Sequence, residues 1–183
     1  MTDVRTAHTA ELSAAELTAI RALLDDAFMD HPDGAFTDGD WDHTLGGTHA
    51  MVWEGGELVA HAAVVQRRLL HGGRALRTGY VEAVAVRADR RGRGYGAAVM
   101  GAVERFVRGA YELGALGAAE DATGFYTARG WRQWQGPTSA LTPREGVIAT
   151  PDVDTWIYVF PVPAVPLDTA RTLTCDWRDG DVW

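Results

Sequence analysis

Residues 79–101 read GYVEAVAVRADRRGRGYGAAVMG, and the pattern within them changes twice. Tyr80 to Val86 is a run of β-branched, aromatic and small residues with one carboxylate, Glu82, which reads as a buried strand with a polar interruption. Arg87 to Gly94 gathers four arginines and two glycines and cannot continue that strand. From Tyr95 onward, Tyr95, Ala98, Val99, Ala102, Val103, Phe106 and Val107 recur at helical spacing, so a helix starts at about Gly94. Glycine-rich backbone entering a helix N-terminus offers unpaired N–H groups and the positive end of the helix dipole. That combination binds phosphate, and the expected ligand is an anion.

The spacing narrows the choice of anion. Gly92, Gly94 and Gly96 stand at alternate positions, so the dinucleotide fingerprint G-x-G-x-x-G is not met, and a chain without lysine has no G-x-x-x-x-G-K-[ST] loop. What Arg91-Gly92-Arg93-Gly94-Tyr95-Gly96 resembles is the pyrophosphate loop R/Q-x-x-G-x-G/A of the GCN5-related N-acetyltransferases (GNATs), preceded as in that family by a V-x-A-V-A-V strand. The resemblance implies acetyl-CoA as cofactor. It also implies that the amides of Arg91, Gly92, Arg93, Gly94, Tyr95 and Gly96 hold its pyrophosphate, while Val84, Ala85 and Val86 pair with its pantetheine arm. The plainer alternative is a solvated connection before an amphipathic helix.

Outward from this stretch, 183 residues favour one domain, spanning 1–183, with enough chain for a substantial core. No apolar run approaches a membrane span, and MTDVRTAHTAELS lacks the basic and apolar regions of a secretory signal, so a cytoplasmic protein is expected. Cys175 is the single cysteine, which leaves no intramolecular disulfide and no cysteine-based zinc cluster. The histidines show no metal-binding spacing, and no metal is expected.

The net charge of −8 argues against a nucleic-acid binder. Its distribution is uneven. Ala60 to Tyr111 carries ten arginines against Glu82, Asp89 and Glu104, whereas Asp25 to Asp42 holds seven aspartates and no arginine. A basic middle and acidic flanks suit an anionic cofactor and a cationic substrate, although most such residues in any protein are simply solvated.

In chain order, Val4 to Thr9 is an edge strand. Ser13-Ala14-Ala15-Glu16 is a capping box for a helix reaching about Phe28, and Thr37-Asp38-Gly39-Asp40 is a weaker cap for a short helix ended by Gly46-Gly47. Met51 to Trp53, Leu58 to Leu70 and Ala75 to Val86 read as three antiparallel strands. The helix from Gly94 is expected to end near Gly114, followed by a strand at Ala115 to Ala119. Asp121 is the expected cap of a helix carrying Phe125 and Tyr126, stopped by Gly130. Trp131 to Trp134 follows as a strand, Gly136 to Pro151 is loop-rich, and Trp156 to Phe160 and Leu173 to Trp177 are strands. The fold class is α/β, with a central mixed, mostly antiparallel sheet flanked by helices.

Acetyl transfer to an amine needs a base to remove the ammonium proton, and Glu82, on the strand leading to the phosphate loop, is the candidate. Its alternative role is a structural carboxylate paired with an arginine such as Arg77. The amide of Val84 or a neighbour can serve the developing oxyanion. Phe125-Tyr126-Thr127-Ala128-Arg129-Gly130-Trp131 resembles the F-Y-x-x-x-G-F/W segment of the same family, where the tyrosine faces the departing thiolate; the alternative is a tyrosine packed beside Trp131. His61, among small and branched residues, reads as a satisfied core histidine rather than a catalytic one. Cys175 has no basic group near it in sequence to support a covalent route.

Segments spread over nearly the whole chain are similar to the actinobacterial aminoglycoside 2′-N-acetyltransferases. They are Asp40–Gly47, His61–Arg68, Gly79–Glu82, Arg108–Tyr111, Gly136–Ser139 and, most specifically, Cys175–Trp183 with its Gly-Asp-Val-Trp. The resemblance implies a homodimer, Glu82 as base through water, Tyr126 as acid, and substrate contacts at Glu82, Ala83, Asp40, Asp181 and Trp183. The chain departs from the pattern where an aspartate is expected before Phe36 and Ala35 stands instead, with Asp33 a possible replacement. Gly117 stands where a serine is expected, and Asp152-Val153-Asp154 leaves it open which carboxylate, with Asp152 the first choice, meets the substrate. Two other readings stay open: acetylation of a metabolic amine or amino sugar, and a non-catalytic acetyl-CoA sensor.

Overall fold

The computed structural model describes residues 2–30, 34–163 and 165–183. Their contacts separate two compact units, one formed by residues 1–65 and 81–106 and the other by 66–80 and 107–183.

The first unit opens with strand β1 (Arg5–His8) and helix α1 (Ala14–Phe28). The predicted box caps α1: Ser13 Oγ accepts from the Glu16 amide, and the Glu16 carboxylate accepts from the Ser13 amide at 2.8 Å. Helix α2 (Asp38–Thr44) begins the same way, with Thr37 and Asp40 as the reciprocal pair. Strand β2 (Thr48–Glu54) pairs antiparallel with β1 and with the first part of β3 (Glu57–His71), and a bulge falls between Val52 and Trp53. A Cβ at Gly47 would lie 2.4 Å from the Val64 carbonyl oxygen, so only glycine lets the chain enter β2 at this separation. The end of β4 (Arg74–Val86) and most of helix α3 (Tyr95–Ala110) complete the unit. Ile20, Leu23 and Leu24 of α1 pack with Ala7, Met51, Leu58 and Ala85 as its core.

The second unit takes the remainder of β3 and β4 together with β5 (Leu113–Gly117), helix α4 (Thr123–Ala128), β6 (Arg132–Gln133), β7 (Thr138–Thr142), β8 (Gly146–Ala149), β9 (Ile157–Pro161) and β10 (Leu173–Cys175). Its strand order is β6-β9-β5-β4-β3-β10-β7-β8. The β4–β5 and β10–β7 pairs are parallel, whereas β5–β9, β6–β9, β7–β8 and β10–β3 are antiparallel, giving the mixed sheet expected. The parallel register ends at Tyr80↔Ala115.

Three local expectations are corrected. Helix α3 stops at Ala110 rather than near Gly114, and the strand that follows starts at Leu113 rather than Ala115. Gly114 is a strand residue placed for space: a Cβ there would meet the Phe160 Cβ at 2.9 Å and Val107 Cγ1 at 3.0 Å. Asp121 sits in a single 3₁₀ turn, Glu120–Ala122, and α4 has Ala122 at its N-cap without a side-chain cap. The stretch 136–151, expected to be loop-rich, is mostly strand: it holds the β7–β8 hairpin, whose turn is closed by Thr142 Oγ1 donating to Gly146 O and accepting from the Glu145 amide, both at 3.0 Å.

Candidate active site

The Arg/Gly loop lies where its sequence placed it, between β4 and α3. Gly92 and Gly94 adopt φ of 75° and 83°, and a Cβ on either would meet nothing within 4 Å, so the backbone is bent and its outer face open. Ala98 donates its amide to Gly94 O at 3.0 Å as the helix begins. The amides of the first turn therefore point along the dipole toward the loop.

The four arginines divide into two pairs. Arg87 donates to Asp89 and Glu57, both at 2.7 Å, and Arg90 donates to Glu54 at 2.6 Å and to Asp89. Glu54 also accepts from the Tyr95 hydroxyl at 2.8 Å, which fastens the loop's two ends to the tip of β2. That hydroxyl and Arg90 hold the Glu54 carboxyl below its ordinary range, while Glu54 pushes the Tyr95 phenol up. Arg91 and Arg93 are exposed beside the glycines. Arg91 Nε donates to the Val86 carbonyl at 3.3 Å, across the loop to the end of β4. Bent open backbone, first-turn amides and two exposed arginines fit the pyrophosphate of acetyl-CoA. Sequence reading missed the Glu54 brace, because its partners lie 36 and 41 residues away with no motif linking them.

Upstream of the loop, Glu82, Ala83 and Val84 are all half-buried in a strand that is otherwise mostly covered. Ala83 has φ of 52°, the only left-handed non-glycine among the described residues. This breaks the alternation of the strand, and the Ala83 carbonyl accepts from His61 Nδ1 at 2.8 Å. His61 is fully buried and hydrogen-bonded, as the sequence reading expected.

Tyr126, on α4, is 6% exposed and stands edge-on to Phe125 and Trp131, with ring centroids 5.3 and 6.2 Å away. Burial, with a smaller effect from Asp121, pushes its phenol up to about 12. It stays a hydroxyl at any working pH. Cys175 is fully buried, and burial raises its thiol to about 11, so it holds little thiolate near neutrality.

The expected substrate residues fall in different settings. Asp40 takes the amide and hydroxyl of Thr37 on Oδ2 at 2.8 and 2.7 Å. Gly117 ends β5, exposed. Asp152 is exposed, whereas Asp154 is half-buried and accepts from both the amide and hydroxyl of Thr138. Asp181 is exposed and accepts from the Trp183 amide at 3.0 Å. The Trp183 indole is 4% exposed and donates to Thr150 Oγ1 at 2.9 Å, anchoring the segment that carries Asp181. Asp33 lies outside the described residues.

Two arginines not singled out from the sequence hold that segment. Buried Arg67 donates to Asp176 and to the carbonyl of Val182, and Arg178 donates to the carbonyls of Asp181 and Trp183. Both guanidinium groups lie over the Tyr80 ring, at 4.8 and 5.3 Å from its centroid. Among the described residues no group of His, Cys, Asp or Glu is arranged to hold a metal ion, and no helix is long and apolar enough to cross a membrane.

Residues 8–134 match the acetyltransferase (GNAT) domain model. The aminoglycoside 2′-N-acetyltransferase of Mycolicibacterium fortuitum is 54% identical over 182 residues, 98% of this chain and 91% of that protein. Among solved structures, Escherichia coli ElaA superposes with a TM-score of 0.60 at 23% identity, covering 87% of this chain and 99% of that one. A GNAT family acetyltransferase from Brucella melitensis in complex with acetyl-CoA superposes with a TM-score of 0.54 at 15% identity, covering 72% of this chain and 84% of that one. The loop geometry, the domain match and the near full-length relative agree: the chain belongs to the GNAT acetyltransferase family.

Proposed function

We propose that this protein transfers acetyl from acetyl-CoA to the 2′-amine of aminoglycoside antibiotics, by direct attack. The observation that carries the reading is the 54% identity, over 98% of the chain, to an enzyme named for that reaction. Residues 1–183 act as one catalytic domain, in the cytoplasm and as a homodimer. The consequence for the cell is resistance to these drugs.

Acetyl-CoA supplies the activated acetyl group, and the chain's residues do the rest. The amides from Arg91 to Gly96, with the Arg91 and Arg93 side chains, hold the pyrophosphate, and the backbone of Val84, Ala85 and Val86 lines up the pantetheine arm. Glu82 accepts the ammonium proton through water, half-buried so that its carboxylate keeps contact with solvent. The Val84 amide faces the developing oxyanion. Tyr126 donates a hydrogen bond to the leaving sulfur. With its phenol at about 12 and a thiol near 8.5, complete proton transfer is unfavourable by roughly three-thousandfold, so stabilisation of the thiolate is its role. Carboxylates at Asp33, Asp40, Asp152 and Asp181 attract the drug's ammonium groups, and Ala83, Gly117 and Trp183 complete the acceptor's surroundings.

The test is thiol release from acetyl-CoA with kanamycin B, which bears a 2′-amine, and kanamycin A, which bears a hydroxyl there. Turnover with the first and little with the second is expected. Equal rates would move the acetylated amine elsewhere. No turnover with either would favour a metabolic amine, which the changes at Ala35, Gly117 and Val153 keep open, or a non-catalytic acetyl-CoA sensor.

A further inference from the structure

We infer that His49 and His61 form a buried hydrogen-bonded relay with a single proton arrangement, whose end holds the left-handed backbone at Ala83 and so positions Glu82 and Val84. The inference rests on the reading of Glu82 as base and Val84 as oxyanion donor. Neither histidine touches substrate in it; both are positioning residues.

The relay is continuous. Thr9 Oγ1 lies 2.8 Å from His49 Nε2, His49 Nδ1 lies 2.9 Å from His61 Nε2, and His61 Nδ1 lies 2.8 Å from the Ala83 carbonyl oxygen. Both rings are fully buried. A carbonyl can only accept, so His61 carries its proton on Nδ1. A neutral His61 then has a bare Nε2, which requires the proton of His49 on Nδ1. His49 Nε2 is in turn bare, and the Thr9 hydroxyl donates to it rather than to the Gly47 carbonyl at 3.2 Å. That carbonyl is served by the Thr9 amide at 2.9 Å. Every donor in the chain meets one acceptor, and no second arrangement satisfies the Ala83 carbonyl. Burial keeps both rings neutral, lowering His61 to about 3 and His49 to about 4.

The relay ends where the backbone is strained. Alanine at φ of 52° persists only where its surroundings over-determine it. The hydrogen bond from His61 fixes which way the Ala83 carbonyl points. The peptide planes on either side carry Glu82 and the Val84 amide, so the same bond sets the direction of base and oxyanion donor. A rigid side-chain donor, oriented by a second ring, fixes a direction that an exposed strand edge would leave loose.

The test uses the purified full chain. Long-range nitrogen-15 NMR of the ligand-free wild type near neutral pH reads the ring tautomers, and protons on Nδ1 of both His49 and His61 are expected. A proton on Nε2 of either ring overturns the relay. The second arm compares H61N, whose amide nitrogen replaces Nδ1, with H61Q, whose nitrogen replaces Nε2, and with H61L. In H61Q and H61L, kcat with kanamycin B is expected to fall about tenfold or more while the acetyl-CoA Kd stays within about threefold, and H61N is expected to recover most of the loss. Unchanged kcat in H61L, or equal loss in H61N and H61L, overturns the positioning role. Should the wild type turn over no aminoglycoside, the activity reading fails separately. The relay is then judged by its tautomers and by the Ala83 carbonyl carbon-13 shift, which must move in H61L and hold in H61N. Should H61L and H61Q fail to fold, the wild-type tautomers and the H61N shift decide.

Discussion

Asp154 receives two hydrogen bonds from one residue, the amide of Thr138 at 2.7 Å and its hydroxyl at 2.6 Å. That commits Asp154 to the start of β7 and leaves exposed Asp152 as the carboxylate open to a cationic substrate. D154A is expected to lose about 1.5–3 kcal/mol of stability and to lower Tm by several degrees, read by calorimetry. D152N is expected to keep Tm and to raise the KM for kanamycin B by about three- to tenfold. The reverse pattern would put the substrate contact on Asp154.

The bond from Tyr95 to Glu54 fastens the start of α3 to the tip of β2. Y95F removes it without changing ring packing. The acetyl-CoA Kd is expected to rise about five-fold, the worth of one ordinary hydrogen bond, with Tm little changed. Titration calorimetry measures it, and an unchanged Kd would free the loop's cofactor affinity from this brace.

Gly117 has room for a side chain. A Cβ there meets nothing closer than the Tyr80 hydroxyl oxygen at 4.0 Å, and the backbone is not left-handed. G117S is therefore expected to fold normally and to lower the KM for kanamycin B about two- to five-fold with kcat unchanged. Steady-state kinetics decide, and a higher KM would show that the hydroxyl crowds the acceptor.

Acid should destabilise the protein through the histidine pair. His61 at about 3 and His49 at about 4 lie below the ordinary value of 6.5, so from pH 6.5 down to about 4 the unfolded chain takes up protons that the folded chain refuses. Stability is full above pH 6.5 and falls as pH drops, by up to about 2.7 kcal/mol per pH unit for two protons. H61N, which cannot titrate, is expected to show a shallower fall in Tm between pH 6.5 and 4.5. Equal falls would assign the acid sensitivity to other groups.

The strand, loop and helix around residues 79–101 were legible because their signals are local: an apolar run, clustered glycines, and a helical repeat. Capping boxes at Ser13 and Thr37 were legible for the same reason. The β7–β8 hairpin was not, because β8 is almost wholly exposed and carries no buried alternation to read. Gly114 was misread as a helix stop because glycine looks alike whether it bends a chain or makes room for Phe160. In the site, the phosphate loop, Glu82 and Tyr126 were visible as motifs. Their supports were not: the Glu54 brace, the Arg67 anchor, the placement of Arg178 over Tyr80 and the His49–His61 contact join residues well separated in sequence, where only folding creates the pattern.

The division of the loop's arginines bears on what else it attracts. Arg87, Arg90, Arg91 and Arg93 stand against Glu54, Glu57 and Asp89, four positive charges against three negative, a net of +1. Seen from beyond a Debye length of about 8 Å at physiological salt, such a patch is nearly neutral. RNA and other polyanions feel little pull, and the two exposed arginines, Arg91 and Arg93, declare themselves only at contact. A protein of net charge −8 can thus keep a phosphate site without becoming a trap for every phosphate in the cell.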